Sequence, residues 1–135
     1  MQARRGWLSP RWAAAFVAYL LVLAAIVWLA YLRLIPTELG YIPFYDTIGH
    51  FGLLGSAAYL SHRALNRRAV RVWRWRLPVG PMLVAALAFG EECSQMFSPY
   101  RTFSLSDMLA DLGGILFFLW LDGVLRKAHA HDASA

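Results

Sequence analysis

The chain has 135 residues, of which 59% are hydrophobic and only 16% are charged, and its mean hydropathy is +0.47. This composition is too apolar for an ordinary soluble domain and indicates a membrane protein. The net charge of +5 comes from short basic runs beside apolar segments, which favours topogenic charge at a membrane surface and argues against a nucleic-acid partner.

The first apolar run, residues 13–32, carries no charged side chain over about 20 residues. An α-helix of this length crosses the hydrocarbon core of a bilayer. Arg4, Arg5 and Arg11 precede the run, as in a secretory signal, but the run is longer than the signal's usual core of about 7–15 residues. We therefore interpret residues 1–12 as a basic cytoplasmic N-terminus, followed by a retained membrane anchor.

Three further apolar runs predict helices, at residues 46–62, 79–97 and 107–125. The first of them is rich in small residues, and Gly49, Gly52 and Ser56 are expected to pack tightly against neighbouring helices. The second begins after Pro78 and contains the only cysteine, Cys93, which excludes an intrachain disulfide. Together the runs predict an all-α fold, a four-helix transmembrane bundle forming one domain over residues 13–125, with a cytoplasmic tail at 126–135.

The distribution of lysine and arginine predicts the orientation of the spans, because cytoplasmic loops carry an excess of both. Eleven of the thirteen lie at the N-terminus, in the loop at 63–78 and after the last span, whereas Arg33 and Arg101 lie in the other two connections. Both termini and the middle loop are therefore predicted to be on the cytoplasmic side of the cell membrane. Trp73 and Trp75 alternate with arginines in that loop, which indicates an interfacial anchor at anionic lipid head groups.

Polar side chains recur near the outer end of three spans, at one predicted depth. Each span carries them on one stripe, because a residue turns a helix by about 100°, and the stripes are expected to face a shared pocket. They are Asp46, His50, Glu91, Glu92, Gln95, Asp107 and Asp111, with Arg101 in the outer loop above them. Five carboxyl groups here meet one histidine and one arginine. The excess negative charge predicts protonated acids, a bound cation or entering water.

The order and spacing of these residues resemble the VanZ-like family of small bacterial membrane proteins. The matching blocks are Asp46-x-x-x-His50-Phe51, Glu92-x-x-Gln95, Arg101 and Ser104-x-x-Asp107-x-x-x-Asp111-x-x-Gly114, and the similarity covers residues 13–125. The family is named for a protein associated with low-level resistance to the glycopeptide antibiotic teicoplanin, and its biochemical activity is not established. One position departs from the family pattern, because asparagine usually stands where this chain has Asp111.

The predicted pocket suits the binding or modification of an envelope lipid, or of a lipid-linked cell-wall precursor, at the outer leaflet. The candidate catalytic residues are Glu92, as a general acid or base, His50 and Asp107. The candidate substrate-binding residues are Arg101, which suits an anionic head group, and Gln95, Asp46, Asp111 and Glu91. A histidine among carboxylates also suits a divalent cation, but the spacing matches no recognised metal motif, so the sequence leaves the metal and any other cofactor open.

Two functions of other classes use the same residues. A proton- or cation-linked transporter subunit also contains buried acids and a histidine, although these stripes stop before the cytoplasmic half, and the helices would need to oligomerise around a pore. An assembly protein would use the cluster only to fix helix packing, with His50 and either Glu91 or Glu92 as interhelical hydrogen-bonding groups. Ion flux, ligand binding and melting temperature distinguish the three functions.

Overall fold

The computed structural model describes residues 6–32, 34, 44–97 and 104–132. Its four α-helices are α1 (Pro10–Tyr31), α2 (Tyr45–Ala64), α3 (Val79–Gln95) and α4 (Leu105–Asp132). The prediction of an all-α fold is confirmed, and each helix begins within three residues of its predicted start. Helix α4 continues past the predicted boundary at 125, so residues 126–132 of the predicted tail are helical.

Two of the helices, α1 and α4, are long and apolar enough to cross a membrane. Their most apolar windows have mean hydropathies of 2.5 and 1.8, and none of the α1 window is buried. Such a helix is apolar on every side, and the other described residues do not bury it. Its surface is therefore suited to contact with lipid. Helix α3 is shorter, with 17 residues, and both α2 and α3 carry polar residues near one end.

Helix α2 lies at the centre of the bundle and packs against the other three helices, most extensively against α4. Backbone contacts tie the starts of α1 and α3 to the end of α2: Ser9 N donates to Ala64 O at 2.9 Å, and Val79 N donates to Arg68 O at 2.9 Å. The helices therefore run up and down. The basic end contains the start of α1, residues 63–78 and the end of α4, and the acidic end contains the opposite helix termini.

Residues 69–78 form a β-hairpin, which the sequence analysis did not predict. Strand β1 (Ala69–Val72) pairs antiparallel with β2 (Trp75–Pro78), with Val70 opposite Leu77, Arg71 opposite Arg76 and Val72 opposite Trp75. Because side chains alternate between the two faces of a strand, the four apolar residues share one face and the two arginines share the other. The alternation of apolar and basic residues is the strand signal here, in a segment whose many arginines favour a loop at the membrane surface.

Glycine allows α2 and α4 to approach closely. A Cβ at Gly114 would overlap the carbonyl oxygen of Phe51, and a Cβ at Gly55 would lie 2.8 Å from the carbonyl oxygen of Gly114. The predicted packing positions behave differently, because a Cβ at Gly49 or Gly52 would meet no neighbouring helix within 4 Å among the described residues. For these two glycines the prediction of tight packing is wrong, because an added Cβ would enter open space among the described residues.

The buried core is small, and large apolar side chains cover the exterior. The buried hydrophobic residues of the described chain are Ala57, Ala58, Ala64, Val84 and Ile115. In contrast, every helix exposes large apolar side chains, among them Leu21 at 69%, Ile48 at 63%, Leu87 at 69% and Trp120 at 62%. An apolar exterior of this extent indicates a surface that lipid or another protein covers.

Candidate functional site

A histidine and an aspartate meet between α2 and α4 at the acidic end. His50 Nδ1 lies 3.0 Å from Asp111 Oδ1, and the two side chains are 14% and 7% exposed. One turn nearer the end of both helices, Thr47 Oγ1 donates a hydrogen bond to Asp107 Oδ1 at 3.4 Å. Successive turns of the two helices are thus joined by polar pairs, because residues three or four apart lie on the same helix face.

Glu92 on α3 is fully buried and contacts the start of α4. The backbone N–H of Ser104 donates to Glu92 Oε2 at 3.3 Å, and the Ser104 hydroxyl accepts a hydrogen bond from Asp107 N at 3.3 Å, as expected for a residue that caps α4. The second carboxylate oxygen, Oε1, is buried and receives no hydrogen bond from any described residue. A buried polar atom without a partner is costly, so Oε1 marks an interaction that the described protein groups leave incomplete.

Glu91 points to a different helix from its neighbour, since one residue turns a helix by about 100°. Gln95 Nε2 donates to Glu91 Oε2 at 2.6 Å, and Tyr31 OH donates to Glu91 Oε1 at 3.3 Å. Both oxygens of Glu91 therefore have donors, one of them from α1. The sequence analysis did not identify Tyr31, whose signal was its position at the outer end of the first span.

A cavity of about 500 Å³ opens between α1, α2 and α3. Its walls along α1 and in the middle of α2 and α3 are aliphatic, and its polar lining is confined to the acidic end. The polar lining consists of Asp46, His50, Glu91 and Asp111, with Tyr45 beside them. Sites for small molecules in proteins commonly measure about 300–1,000 Å³. The cavity has that size, and it is amphipathic along its length.

The structure places seven of the eight predicted site residues at the acidic end, and the eighth, Arg101, lies outside the described residues. Two groups of three residues could each hold a metal ion, because within each group the potential ligand atoms lie within 4.8 Å of one another. The groups are Asp46, His50 and Asp107, and His50, Glu92 and Asp111. Asp46 is exposed, whereas Glu92, Asp107 and Asp111 are buried. The residues are therefore close enough to act on one bound molecule or ion.

The acidic end has no arginine partner for these carboxylates within residues 6–32, 44–97 and 104–132. The pairs between arginine and carboxylate in those residues lie at the basic end, and His50 is the base that contacts an acid of the cluster. The surplus of negative charge predicted from the sequence also counts Arg101, which lies outside the described residues, so it stays a prediction.

No protein-family model matches this chain, and no curated protein or solved structure matches it either. The resemblance to the VanZ-like family therefore rests on the residue pattern alone and stays a prediction. The chemistry open to the site follows from the contacts among its own side chains.

A second buried charge cluster, which the sequence analysis missed, lies at the basic end. Asp122 on α4 is 4% exposed, and Arg67 donates to it twice, from Nε at 2.6 Å and from Nη2 at 2.9 Å. Arg63 Nη1 donates to the same carboxylate at 3.1 Å. The hydrogen bonds to Asp122 raise the pKa of Arg67 above its usual value. In this cluster two guanidinium groups share one carboxylate, and their hydrogen bonds join α4 to the end of α2 and to the turn that follows it.

Proposed function

We propose that this chain is a VanZ-like protein of the cytoplasmic membrane that binds an amphiphile, either an envelope lipid or a lipid-linked cell-wall precursor, at the outer leaflet. The single observation that carries the proposal is the cavity between α1, α2 and α3. Its aliphatic walls suit a hydrocarbon chain, and its polar end suits a head group. With the acidic end facing outward, the two parts lie at the depths that tail and head group occupy in a bilayer.

In this proposal all four helices cross the membrane, and the basic end is cytoplasmic. Helices α2 and α3 have 20 and 17 residues and are therefore about 30 and 26 Å long, comparable with a hydrocarbon core of about 30 Å. The exposed apolar side chains on both helices support the same arrangement. The hairpin supports it as well, because Trp73 is 80% exposed and an apolar face accompanies the arginines, as expected at a membrane interface.

A chemical step on the bound head group is a further part of the proposal, and the pair of His50 and Asp111 supports it. Both residues line the cavity, and Asp111 is placed to orient the imidazole by accepting a hydrogen bond from Nδ1. The other ring nitrogen then accepts a proton from a head-group hydroxyl. Glu92 acts as the second acid or base, and Asp107 holds the start of α4 against α2.

Filling the cavity tests whether it holds a lipid. Ala24 lines the cavity, whereas Ala25 is exposed on the neighbouring face of α1 and is not among the lining residues. We expect the Ala24→Phe variant, purified in mild detergent, to lose the lipid that native mass spectrometry detects on the unmodified chain. The Ala25→Phe variant adds the same ring outside the cavity and should retain that lipid. Equal lipid occupancy in the two variants would contradict the proposal.

The catalytic part has a separate test in cells. A strain that depends on this chain for teicoplanin resistance should become sensitive when it carries Glu92→Gln at unchanged expression. Full resistance with Glu92→Gln would reject catalysis by Glu92 and would leave lipid binding in place. Loss of resistance together with loss of the protein from the membrane would instead indicate a folding defect.

An assembly role is the alternative that specific contacts favour, because the bonds from Thr47 to Asp107 and from Ser104 to Glu92 join three helices. In that case the polar cluster stabilises the bundle and binds nothing. Alanine at His50 or at Asp107 would then lower the melting temperature and leave lipid occupancy unchanged. The lipid-binding proposal expects lipid occupancy to fall in the His50 variant, because His50 lines the cavity.

A further inference from the structure

Glu92, which has one unpartnered carboxylate oxygen, lies beside two other potential metal ligands. Glu92 is 0% exposed, and its Oε1 receives no hydrogen bond from the described residues. A carboxylate oxygen of Glu92, a carboxylate oxygen of Asp111 and a ring nitrogen of His50 all lie within 4.8 Å of one another. Three different helices supply these three groups. A cation among them would give the buried oxygen the partner that it lacks.

We propose that His50, Glu92 and Asp111 bind a divalent transition-metal ion of the zinc class. Zinc binds imidazole nitrogen and carboxylate oxygen at about 2.0–2.2 Å, which separates the ligand atoms of a tetrahedral site by about 3.4 Å. His50 Nδ1 and Asp111 Oδ1 are already 3.0 Å apart. Binding at Nδ1 requires the ring proton to move to Nε2, so in the metal-bound state His50 is a ligand and no longer the base of the chemical step proposed above.

The ligand set selects both the metal class and the position of the metal. Imidazole favours zinc, iron, nickel or copper, whereas magnesium and calcium favour sites made wholly of oxygen. The second group, Asp46, His50 and Asp107, shares the same histidine, but Asp46 is exposed and Asp107 accepts a hydrogen bond from Thr47. The group of His50, Glu92 and Asp111, which includes the acid with an unpartnered oxygen, is therefore the one that we expect to bind the ion.

The proposed ion would have an open side toward the cavity, because two of its ligands, His50 and Asp111, line that cavity, whereas the third, Glu92, is buried. Three protein ligands with one open position are typical of zinc sites that bind a further molecule. The open position suits a phosphate oxygen, which the acidic end would otherwise repel. The ligand class is therefore an amphiphile with a phosphate in its head group, and this part of the inference rests on the proposed lipid-binding function.

Metal binding is tested on the full chain without lipid. The chain is purified in detergent without an affinity tag, treated with a chelator, and titrated with zinc chloride. His129 and His131 are replaced by alanine in every sample, because these exposed histidines on α4 could bind zinc adventitiously. We expect about one zinc ion per chain by elemental mass spectrometry, and a higher melting temperature with zinc than without it.

Glu92→Gln and Asp122→Asn form a matched pair of variants at buried acids. Glu92→Gln removes a proposed ligand, so its zinc affinity should fall by more than the roughly 10–100-fold that loss of an outer-shell partner costs. Asp122→Asn changes a buried acid at the opposite end of the bundle, whose carboxylate is bonded to Arg63 and Arg67, and should retain zinc. Absence of zinc from the unsubstituted acidic cluster, or retention of full affinity by Glu92→Gln, would overturn the metal site.

Two further measurements keep the outcomes distinct. Cobalt(II) in place of zinc should give the visible absorption of a tetrahedral nitrogen and oxygen site, which tests the ligands without any substitution in the cluster. An octahedral spectrum would overturn the assigned geometry. Native mass spectrometry before and after chelation then separates the proposals: lipid bound without metal-binding capacity rejects the metal alone, whereas zinc bound without lipid rejects the lipid-binding function alone.

Discussion

His50 and Asp111 are 61 positions apart in the chain, yet Nδ1 of the histidine and Oδ1 of the aspartate lie 3.0 Å apart. Their contact depends on the close approach of α2 and α4, which Gly114 permits one turn further along α4. Asp111 and Gly114 are three residues apart, so they lie on the same face of the helix. The packing of two helices and the assembly of the polar site are therefore consequences of one interface.

The pair of His50 and Asp111 should show energetic coupling in a double-mutant cycle. We expect His50→Ala and Asp111→Ala together to destabilise the bundle less than the sum of the single changes, because the second change removes a partner already lost. Hydrogen bonds between helices in membranes contribute about 0.6 kcal/mol on average and up to about 1.7 kcal/mol. Unfolding of the detergent-solubilised chain by denaturant measures the coupling, and strict additivity would contradict the contact.

Alanine at Gly114 and at Gly113 should have opposite effects on stability. A Cβ at Gly114 overlaps the backbone of Phe51, so Gly114→Ala has to separate α2 from α4 and is expected to cost about 1–3 kcal/mol. A Cβ at Gly113 would lie 3.6 Å from the Phe51 ring, an ordinary contact, and alanine favours the helix by up to about 1 kcal/mol. Melting temperatures of the two variants check this, and equal values would argue against the glycine contact.

Removal of the Asp122 carboxylate should destabilise the basic end of the bundle, where Asp122 joins α4 to α2. Asp122→Ala leaves Arg63 and Arg67 without their shared partner, and because both guanidinium groups remain partly exposed we expect a loss of about 1–3 kcal/mol. Asp132→Ala, at an exposed acid near the end of the same helix, is the control and should change the melting temperature little. Unchanged stability in Asp122→Ala would show that the cluster has no structural role.

Helical periodicity was sufficient to predict much of the site. Apolar runs predicted the four helices, and a turn of about 100° per residue predicted that His50 and Asp111 lie on facing stripes. The same arithmetic was too coarse to separate Glu91 from Glu92. These adjacent acids contact different segments, since Glu91 accepts a hydrogen bond from Tyr31 and Glu92 accepts one from Ser104. The packing of α3 determines which acid has which partner.

The features that sequence reasoning missed depend on contacts between distant segments. Nothing in the sequence of α4 indicates a partner for Asp122, whereas in the structure Arg67 reaches it from the turn after α2, where the backbone φ of Arg67 is 56°. The hairpin was missed because basic residues outweighed its period of two. In both cases the feature depends on contacts between segments that the local sequence does not indicate.

The orientation of the bundle can be tested with cysteines at its two ends. In a Cys93→Ser background, Arg74→Cys lies in the turn of the hairpin at the basic end, and Phe97→Cys lies just after α3 at the acidic end. Both native side chains are exposed, so a membrane-impermeant maleimide should reach either cysteine from its own side of the membrane. With four crossings and cytoplasmic termini, intact spheroplasts label only Phe97→Cys and inverted membrane vesicles label only Arg74→Cys.

The two positions form an internal control, because each is a reference for the other in the same membrane preparation. Labelling of both cysteines from one side would mean that α3 does not cross the bilayer, and the outer pocket would then lose its support. The reverse pattern would place the acidic end in the cytoplasm, against the positive-inside rule. The proposal requires Phe97→Cys to be labelled from outside and Arg74→Cys from inside. That labelling pattern would put the polar end of the cavity at the head groups of the outer leaflet, where the proposed amphiphile would enter.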